Sequence, residues 1–408
     1  MNNSKIINDP VYGFLTIPSE LVFKLIQHPF FQRLRRIRQL GMTEFVYPGA
    51  IHSRFNHALG ALNLMTKAVD VLRQKKVIIT DEEAEAVYIG ILLHDIGHGP
   101  FSHSLEHNII QGVHHEFISL TLMNIMNKEF DGKLSLAIKI FQNKYKKEFL
   151  HQLISSQLDM DRLDYLSRDS FFTGVSEGVV GADRIINMMN VVNDQLVIEE
   201  KGIYSIEKFI IARRLMYWQV YLHKAVVAAD MLLSQIMKRA KELSIQGVNL
   251  YGTPALKWFL EHDINEKEFL KDKKSIHYFT SLDDSDVFSS IKVWQTENDK
   301  ILSTLSKQLI NRNLPKMQIS NKAFSADLIL ESKSKVAKLF NLNINEASYF
   351  VNQISLSNDA YKDDHSNIKI LLKNNQVVDV VDASDNYNLK TLKTTVKKYF
   401  LSYYKEKL

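Results

Sequence analysis

HDIGHGPFSHSLEH, residues 94–107, sets four histidines and two acids within fourteen positions, the densest chemical signal in the chain. Just upstream, Thr80 and Glu83 form a capping box for a helix that runs into Leu93, so His94 and Asp95 fall at its C-terminal end. Gly97, Gly99 and Pro100 then stop the helix and let backbone come close to a ligand. One His-Asp pair cannot complete a metal site, because divalent ions take roughly four to six donors. The missing donors are expected at the ends of other helices. SRFNHALG (53–60) offers His57, and LDMDRLDYLSRD (158–169) offers four aspartates. Asp159, Asp161 and Asp164 point in different directions on a helix, so only one or two of them can face an ion. Mixed imidazole and carboxylate donors suit iron, manganese, zinc, nickel or magnesium in an open hydrolytic site.

The rest of the chain frames that signal. Its 408 residues are 45% apolar and 24% charged, the balance of a globular protein able to bury a large core. The absence of cysteine excludes disulfides, thiolate nucleophiles, zinc fingers and iron–sulfur clusters. A net charge of +5 is too dilute to argue for nucleic acid, which stays an open partner. AVYIGILL (86–93) falls short of the ~18 apolar residues that span a bilayer, and MNNSKIINDP has no signal-peptide core. A cytoplasmic protein without a membrane partner is expected.

Only 15 glycines and 7 prolines favour long helices. Helical periodicity covers SELVFKLIQ, FQRLRRIRQL, 57–75, 115–127, 134–143, 147–167 and 181–192. QLVIEE and IYSI, joined by Lys201-Gly202, predict a hairpin, followed by one helix over about 207–243. The expected fold class is mostly α over 1–310, with a smaller α+β C-terminal segment over 311–408 that ends in a helix. Among the basic runs, KYKK (144–147) and KDKK (271–274) read as solvated helix faces. There is no P-loop, no dinucleotide fingerprint and no repeat.

The ordered pattern KIINDPVYG, FQRLRRIRQLG, YPGAIHSRFNHALG, HDIGHGPFSH and DMDRLDYLSRD, extending past VYLHK, resembles the HD-domain superfamily. Within it, the chain is most similar to the deoxynucleoside triphosphate triphosphohydrolases, including the vertebrate sterile-alpha-motif/HD-domain enzyme. The resemblance covers over half of the chain and is weakest in the last ~90 residues; no sterile-alpha-motif domain is expected before Lys5. It implies an HD-domain helical core over 1–310 and conversion of a dNTP to deoxynucleoside and inorganic triphosphate.

It also implies roles for individual residues. His57, His94, Asp95 and Asp161 would ligate one divalent ion, with further Mg entering on the nucleotide. His103 would protonate the departing 5′-oxygen, a task suited to a group titrating near ~6.5. His98 would line the phosphates, while Glu106 (aspartate in the family) and His115 would orient His103. Arg54, Arg162 and Arg213 would hold the phosphate tail; Arg162 replaces a lysine, keeping the charge on a flatter head. Tyr165 would touch phosphate. Gln39, Leu40, Asp169 and Tyr221 would grip the deoxyribose, Leu40 and Tyr221 leaving no space for a 2′-hydroxyl. His223 and Asp230 match positions near the base. Lys5, Asn8, Gln32 and Arg35 keep the places of a nucleotide-activator site, but Gln27 replaces the acid that reads guanine, and an amide cannot accept two N–H donors as a carboxylate does. A homo-oligomer is implied, with an altered activator preference. Two rival readings are an HD nucleotidase or phosphodiesterase acting on other nucleotides or nucleic acid, and a non-catalytic nucleotide sensor.

Overall fold

The computed structural model describes residues 5–105, 109–110, 112–358, 361, 367–385 and 395–404. An N-terminal hairpin, β1 (Ile6–Asp9) and β2 (Gly13–Thr16), precedes α1 (Glu20–Gln27) and α2 (Pro29–Gln32). The centre of the core is α3 (Arg54–Gln74), packed between α4 (Asp81–Leu93) and a later helix, Met160–Thr173. Thr80 caps α4, accepting from the Glu83 N–H at 3.1 Å while Glu83 Oε2 accepts from the Thr80 N–H at 2.9 Å. From Ala84 to Leu93, α4 is apolar and buried on nearly every face except Glu85, as a central helix must be. After it come α5 (His115–Glu129), α6 (Ser135–Phe141), α7 (Glu148–Ile154), α8 (Met160–Thr173) and α9 (Ala182–Asn187). The mostly-α class with a small α+β segment holds.

Several local expectations change. Residues 147–167 form two helices, because Asp159 caps a new start: it accepts from the Arg162 N–H and the Ser156 N–H, each at 2.7 Å. The hairpin lies earlier than Lys201-Gly202. β3 (Met189–Val192) pairs with β4 (Gln195–Glu199) across Asn193-Asp194, both at positive φ (48° and 62°), a conformation these two residue types tolerate best after glycine. Residues 189–192 are therefore strand rather than the end of a helix, and Ile203–Ile206 open α10 (Ile203–Met216). The single helix expected over 207–243 is two. A wide turn at Tyr217–Tyr221 separates α10 from α11 (Lys224–Ile245), which His223 caps.

FQRLRRIRQL contributes only α2 and a tight turn before Ile37 leaves helical geometry. At the C-terminal end, the expected helix is β9 (Val396–Tyr403), paired on both sides with β5 (Lys316–Ser320) and β6 (Asn352–Asn358). Its alternating, aromatic-rich sequence finds strand partners remote in the chain, and tertiary pairing overrides helical propensity. β4 also pairs in parallel with β7 (Lys369–Leu371), and β8 (Val377–Asp379) completes that sheet. One sheet thus joins the two sides of the boundary expected near residue 310. No described helix is long and apolar enough to cross a membrane.

Candidate active site

Three helix ends converge. His57 sits in the first turn of α3, where the Ser53 N–H donates to Asn56 Oδ1 at 3.2 Å. His94 and Asp95 follow the last turn of α4, and Asp161 stands in the first turn of α8. His57 Nε2 lies 3.3 Å from His94 Nε2 and 3.1 Å from Asp161 Oδ1. His94 Nε2 is 3.6 Å from Asp161 Oδ1 and 3.4 Å from Asp95 Oδ1, while Asp95 Oδ2 is 3.8 Å from His57 Nε2. Donors each ~2.1 Å from one ion stand ~3.0 Å apart at octahedral angles and ~3.4 Å at tetrahedral ones. The observed spacings, 3.1 to 3.8 Å, start just above the octahedral value and span the tetrahedral one.

The far nitrogens fix which lone pairs face inward. His57 Nδ1 donates to Asp164 Oδ2 at 2.8 Å and His94 Nδ1 to the Ile91 carbonyl at 2.6 Å. With the far nitrogens so engaged, the two Nε2 atoms are left facing each other and Asp161, an arrangement that calls for positive charge between them, a proton or a metal cation. The electrostatics agree. Burial works against charging His57, yet hydrogen bonds to Asp161 and Asp164 carry its pKa up to about 10. Asp161 is held far below the carboxylate range by His57 and His94 against its own desolvation. A divalent ion supplies the positive charge that this nest of two carboxylates and two imidazoles selects, so the donor set fits the metal expected from the sequence.

Glycine makes the convergence possible. A Cβ on Gly60 would stand 2.0 Å from Asp164 Oδ1 and 2.1 Å from Arg168 Nη2, so α3 and α8 approach only because none is there. A Cβ on Gly97 would lie 2.3 Å from the His115 carbonyl. That closeness stacks the His115 ring on His98, centroids 3.8 Å apart and planes 18° apart. His98 Nε2 is 3.3 Å from Asp95 Oδ1. Burial and the nearby Arg54 charge push His98 well below the usual imidazole range, so it is neutral at physiological pH. Arg54, only 3% exposed, pairs with Asp95 and donates from Nε to Ser102 Oγ at 2.7 Å. Glu106 lies outside the described residues, as does the side chain of His103.

A cavity of about 350 Å³ opens beside the four donors, within the ~300–1,000 Å³ range of small-molecule sites. Gln39, Leu40, Arg54, Asp95, His98, His115, Asp161, Arg162, Tyr165, Asp169 and Tyr221 all line it. Arg162 is partly exposed there, with Nε on the Ser156 carbonyl at 2.6 Å. Asp169 accepts from the Tyr221 hydroxyl at 2.7 Å and lies 2.8 Å from His52 Nε2. Burial raises the Tyr221 pKa well above 10.0, so the hydroxyl remains a donor. Arg213 is buried behind the lining near Tyr165, its Nε without a partner among the described residues. His223 does not line the cavity: its Nδ1 accepts from the Ala225 N–H at 3.2 Å as a helix cap.

Sequence reasoning missed His52, buried and stacked on Phe172 at 4.5 Å, although it stands within YPGAIHSRFNH. It also missed Ser104 and Tyr217 in the lining. Ser104 Oγ donates at 2.6 Å to Asp230, whose carboxyl burial raises to about 7. Of the expected activator residues, the Gln32 amide donates to the Ile26 carbonyl at 2.7 Å, and Gln32 Oε1 accepts from Arg35 Nε at 2.8 Å. The Lys5 amine sits 5.5 Å from the centre of the Phe23 ring. Asn8 and Gln27 are exposed on β1 and at the end of α1.

The HD-domain family model matches residues 54–169, and the HD-associated-region model matches residues 180–252. A phosphohydrolase from Bacteroides thetaiotaomicron superposes with a TM-score of 0.96 at 52% identity, over 98% of this chain and 100% of that one. The uncharacterized protein YwfO of Bacillus subtilis is 35% identical, over 77% of this chain and 72% of that protein. The deoxynucleoside triphosphate triphosphohydrolase SAMHD1 homolog of Dictyostelium discoideum is 32% identical over 59% of this chain, which spans half of that relative's length.

Proposed function

This chain belongs to the HD-domain superfamily as a relative of the SAMHD1 proteins, and from that premise we propose that it hydrolyses dNTPs to deoxynucleoside and inorganic triphosphate. The carrying observation is the grouping of His57, His94 and Asp161, with Asp95 Oδ1 3.4 Å from His94 Nε2 and 3.3 Å from His98 Nε2, at the edge of a nucleotide-sized cavity. When bound, a divalent ion there would polarise the α-phosphate and acidify an attacking water. Arg162 at the rim and Arg54 beside Asp95 line the same cavity, which supports a role for them in holding the phosphate chain. The neutral state of His98 suits it to line phosphate oxygens rather than to protonate, which leaves the 5′-oxygen to His103, supported by Glu106 and His115. Asp169, oriented by Tyr221 and His52, keeps lone pairs free for a sugar hydroxyl, with Leu40 packed at the same wall. Assembly as a homo-oligomer, a nucleotide activator and a cytoplasmic location belong to the same proposal.

One observation favours the nucleotidase or phosphodiesterase reading: two nitrogens of Arg54 are already engaged, leaving fewer free donors for a triphosphate. Incubating each of the four dNTPs with Mn(II), Mg(II), Fe(II) or Co(II) and separating products by anion exchange decides the matter. Deoxynucleoside with intact triphosphate is expected. A deoxynucleoside monophosphate or orthophosphate would sink the triphosphohydrolase reading.

A further inference from the structure

The β1–β2 hairpin is a separate two-stranded sheet, and such hairpins are marginal by themselves. Much of its apolar surface faces outward, Phe14 being 79% exposed and Ile6 59%. Yet Asp9, at the end of β1, is only 4% exposed. Its Oδ1 accepts from the Val11 and Tyr12 N–H groups at 2.9 and 3.0 Å, which fixes the turn. Its Oδ2 meets Arg168 Nη1 at 2.8 Å. Arg168, on α8, turns its other edge to Asp164, with Nε to Oδ2 at 2.9 Å and Nη2 to Oδ1 at 3.0 Å. The same Asp164 Oδ2 accepts from His57 Nδ1 at 2.8 Å. Asp9, Arg168, Asp164 and His57 therefore form an unbroken buried chain from the hairpin turn to a metal donor.

We propose that Asp9 and Arg168 are positioning residues for the metal centre, so that docking of the N-terminal hairpin sets how tightly the ion is held; this rests on the reading of His57 as a ligand. The charge balance gives the reason. Arg168 divides its cation between two carboxylates, leaving one net negative charge in the chain, and that charge polarises the His57 N–H and strengthens donation from Nε2. Without the Asp9 charge, Arg168 neutralises Asp164 fully and the pull on His57 weakens. Partners outside the ligand shell typically alter metal affinity ~10–100-fold, and a group two bonds further out should sit near the lower figure.

Mn(II) alone is the probe, with the full chain. Asp9→Asn keeps the shape, leaves Arg168 paired to Asp164, and should raise the Mn(II) Kd ~10-fold. By linkage, saturating Mn(II) should slow amide exchange in the wild-type hairpin, at Ile7 and Leu15, which pair across the strands, by a similar factor. A purely structural Asp9 would lower the melting temperature of the variant and leave its Mn(II) Kd unchanged. An unchanged Kd, or hairpin exchange indifferent to Mn(II), overturns the proposal. If Asp9→Asn does not fold, the wild-type exchange experiment decides alone. Failure of the wild type to bind Mn(II) would overturn the metal-site reading together with this proposal, whereas normal wild-type binding with either negative result removes the proposal only.

Discussion

Gly60→Ala tests the packing that makes the site. On an exposed helix this change would stabilise by ~1 kcal/mol, because alanine loses less backbone freedom. At Gly60 the added methyl would stand 2.0 Å from Asp164 Oδ1 and 2.1 Å from Arg168 Nη2. Ordinary contact needs ~3.4 Å, so α8 must retreat by more than an ångström or the Asp164–Arg168 pair must part. That pair is fully buried, and disrupting such a pair costs ~3–5 kcal/mol. The net expectation is a loss of ~2–4 kcal/mol. With an unfolding entropy of ~2.1 cal/mol/K per residue over 408 residues, this lowers Tm by ~2–5 °C. Gly90→Ala is the control, since its methyl would meet only the terminal Ile154 Cδ1 at 2.5 Å, which can rotate away. Calorimetry should place Gly60→Ala below wild type and Gly90→Ala within ~1 kcal/mol of it. Mn(II) affinity should fall for the first alone, because Asp164 orients His57. A Gly60→Ala protein as stable as wild type would refute the claim that α3 and α8 are in contact across that residue.

Asp95→Ala should abolish stoichiometric Mn(II) binding, read by titration calorimetry, and all turnover with it; retained binding would remove Asp95 from the donor set. Asp284 accepts from the Arg38 and Phe101 N–H groups, but burial dominates and raises its pKa from 3.8 to about 6. Folding therefore favours its protonated form: the benefit is full below pH ~4 and gone above pH ~6, a swing of ~2–3 kcal/mol. Asp284→Asn should flatten that part of the urea-midpoint profile, and an unchanged slope between pH 4 and 7 would count against it. Leu40→Ala, by opening the wall beside Tyr221, should raise the ribonucleotide-to-deoxyribonucleotide ratio of kcat/KM by ~10-fold, read by paired GTP and dGTP assays. An unchanged ratio would exclude Leu40 as the sugar filter.

Much of the helical core was readable because its signals are local. The Thr80–Glu83 capping box and the apolar run to Leu93 each act within a few turns, and the structure starts and ends α4 there. The failures share another cause. Val396–Tyr403 becomes a strand because β5 and β6 lie on either side of it, and neither neighbour is written in those eight residues. Asn193-Asp194 did carry a turn signal, but Lys201-Gly202 competed with it, and the cap at Asp159 was hidden among four aspartates of similar appearance.

For the site the division falls between residue types and partners. Sequence alone determined that any ion must be held by His, Asp or Glu, since there is no cysteine, and that His94-Asp95 closes a helix beside two glycines. Only the tertiary structure decided that Asp161 turns to His57 and His94 while Asp164 turns behind them to Arg168 and Asp9, and that His52 braces Asp169. Those choices depend on which faces of α3, α4 and α8 meet. That meeting is set by core packing between separate segments, α3 and α8 about a hundred residues apart in the chain, and by the lack of a side chain at Gly60, rather than by any interaction within one stretch of chain.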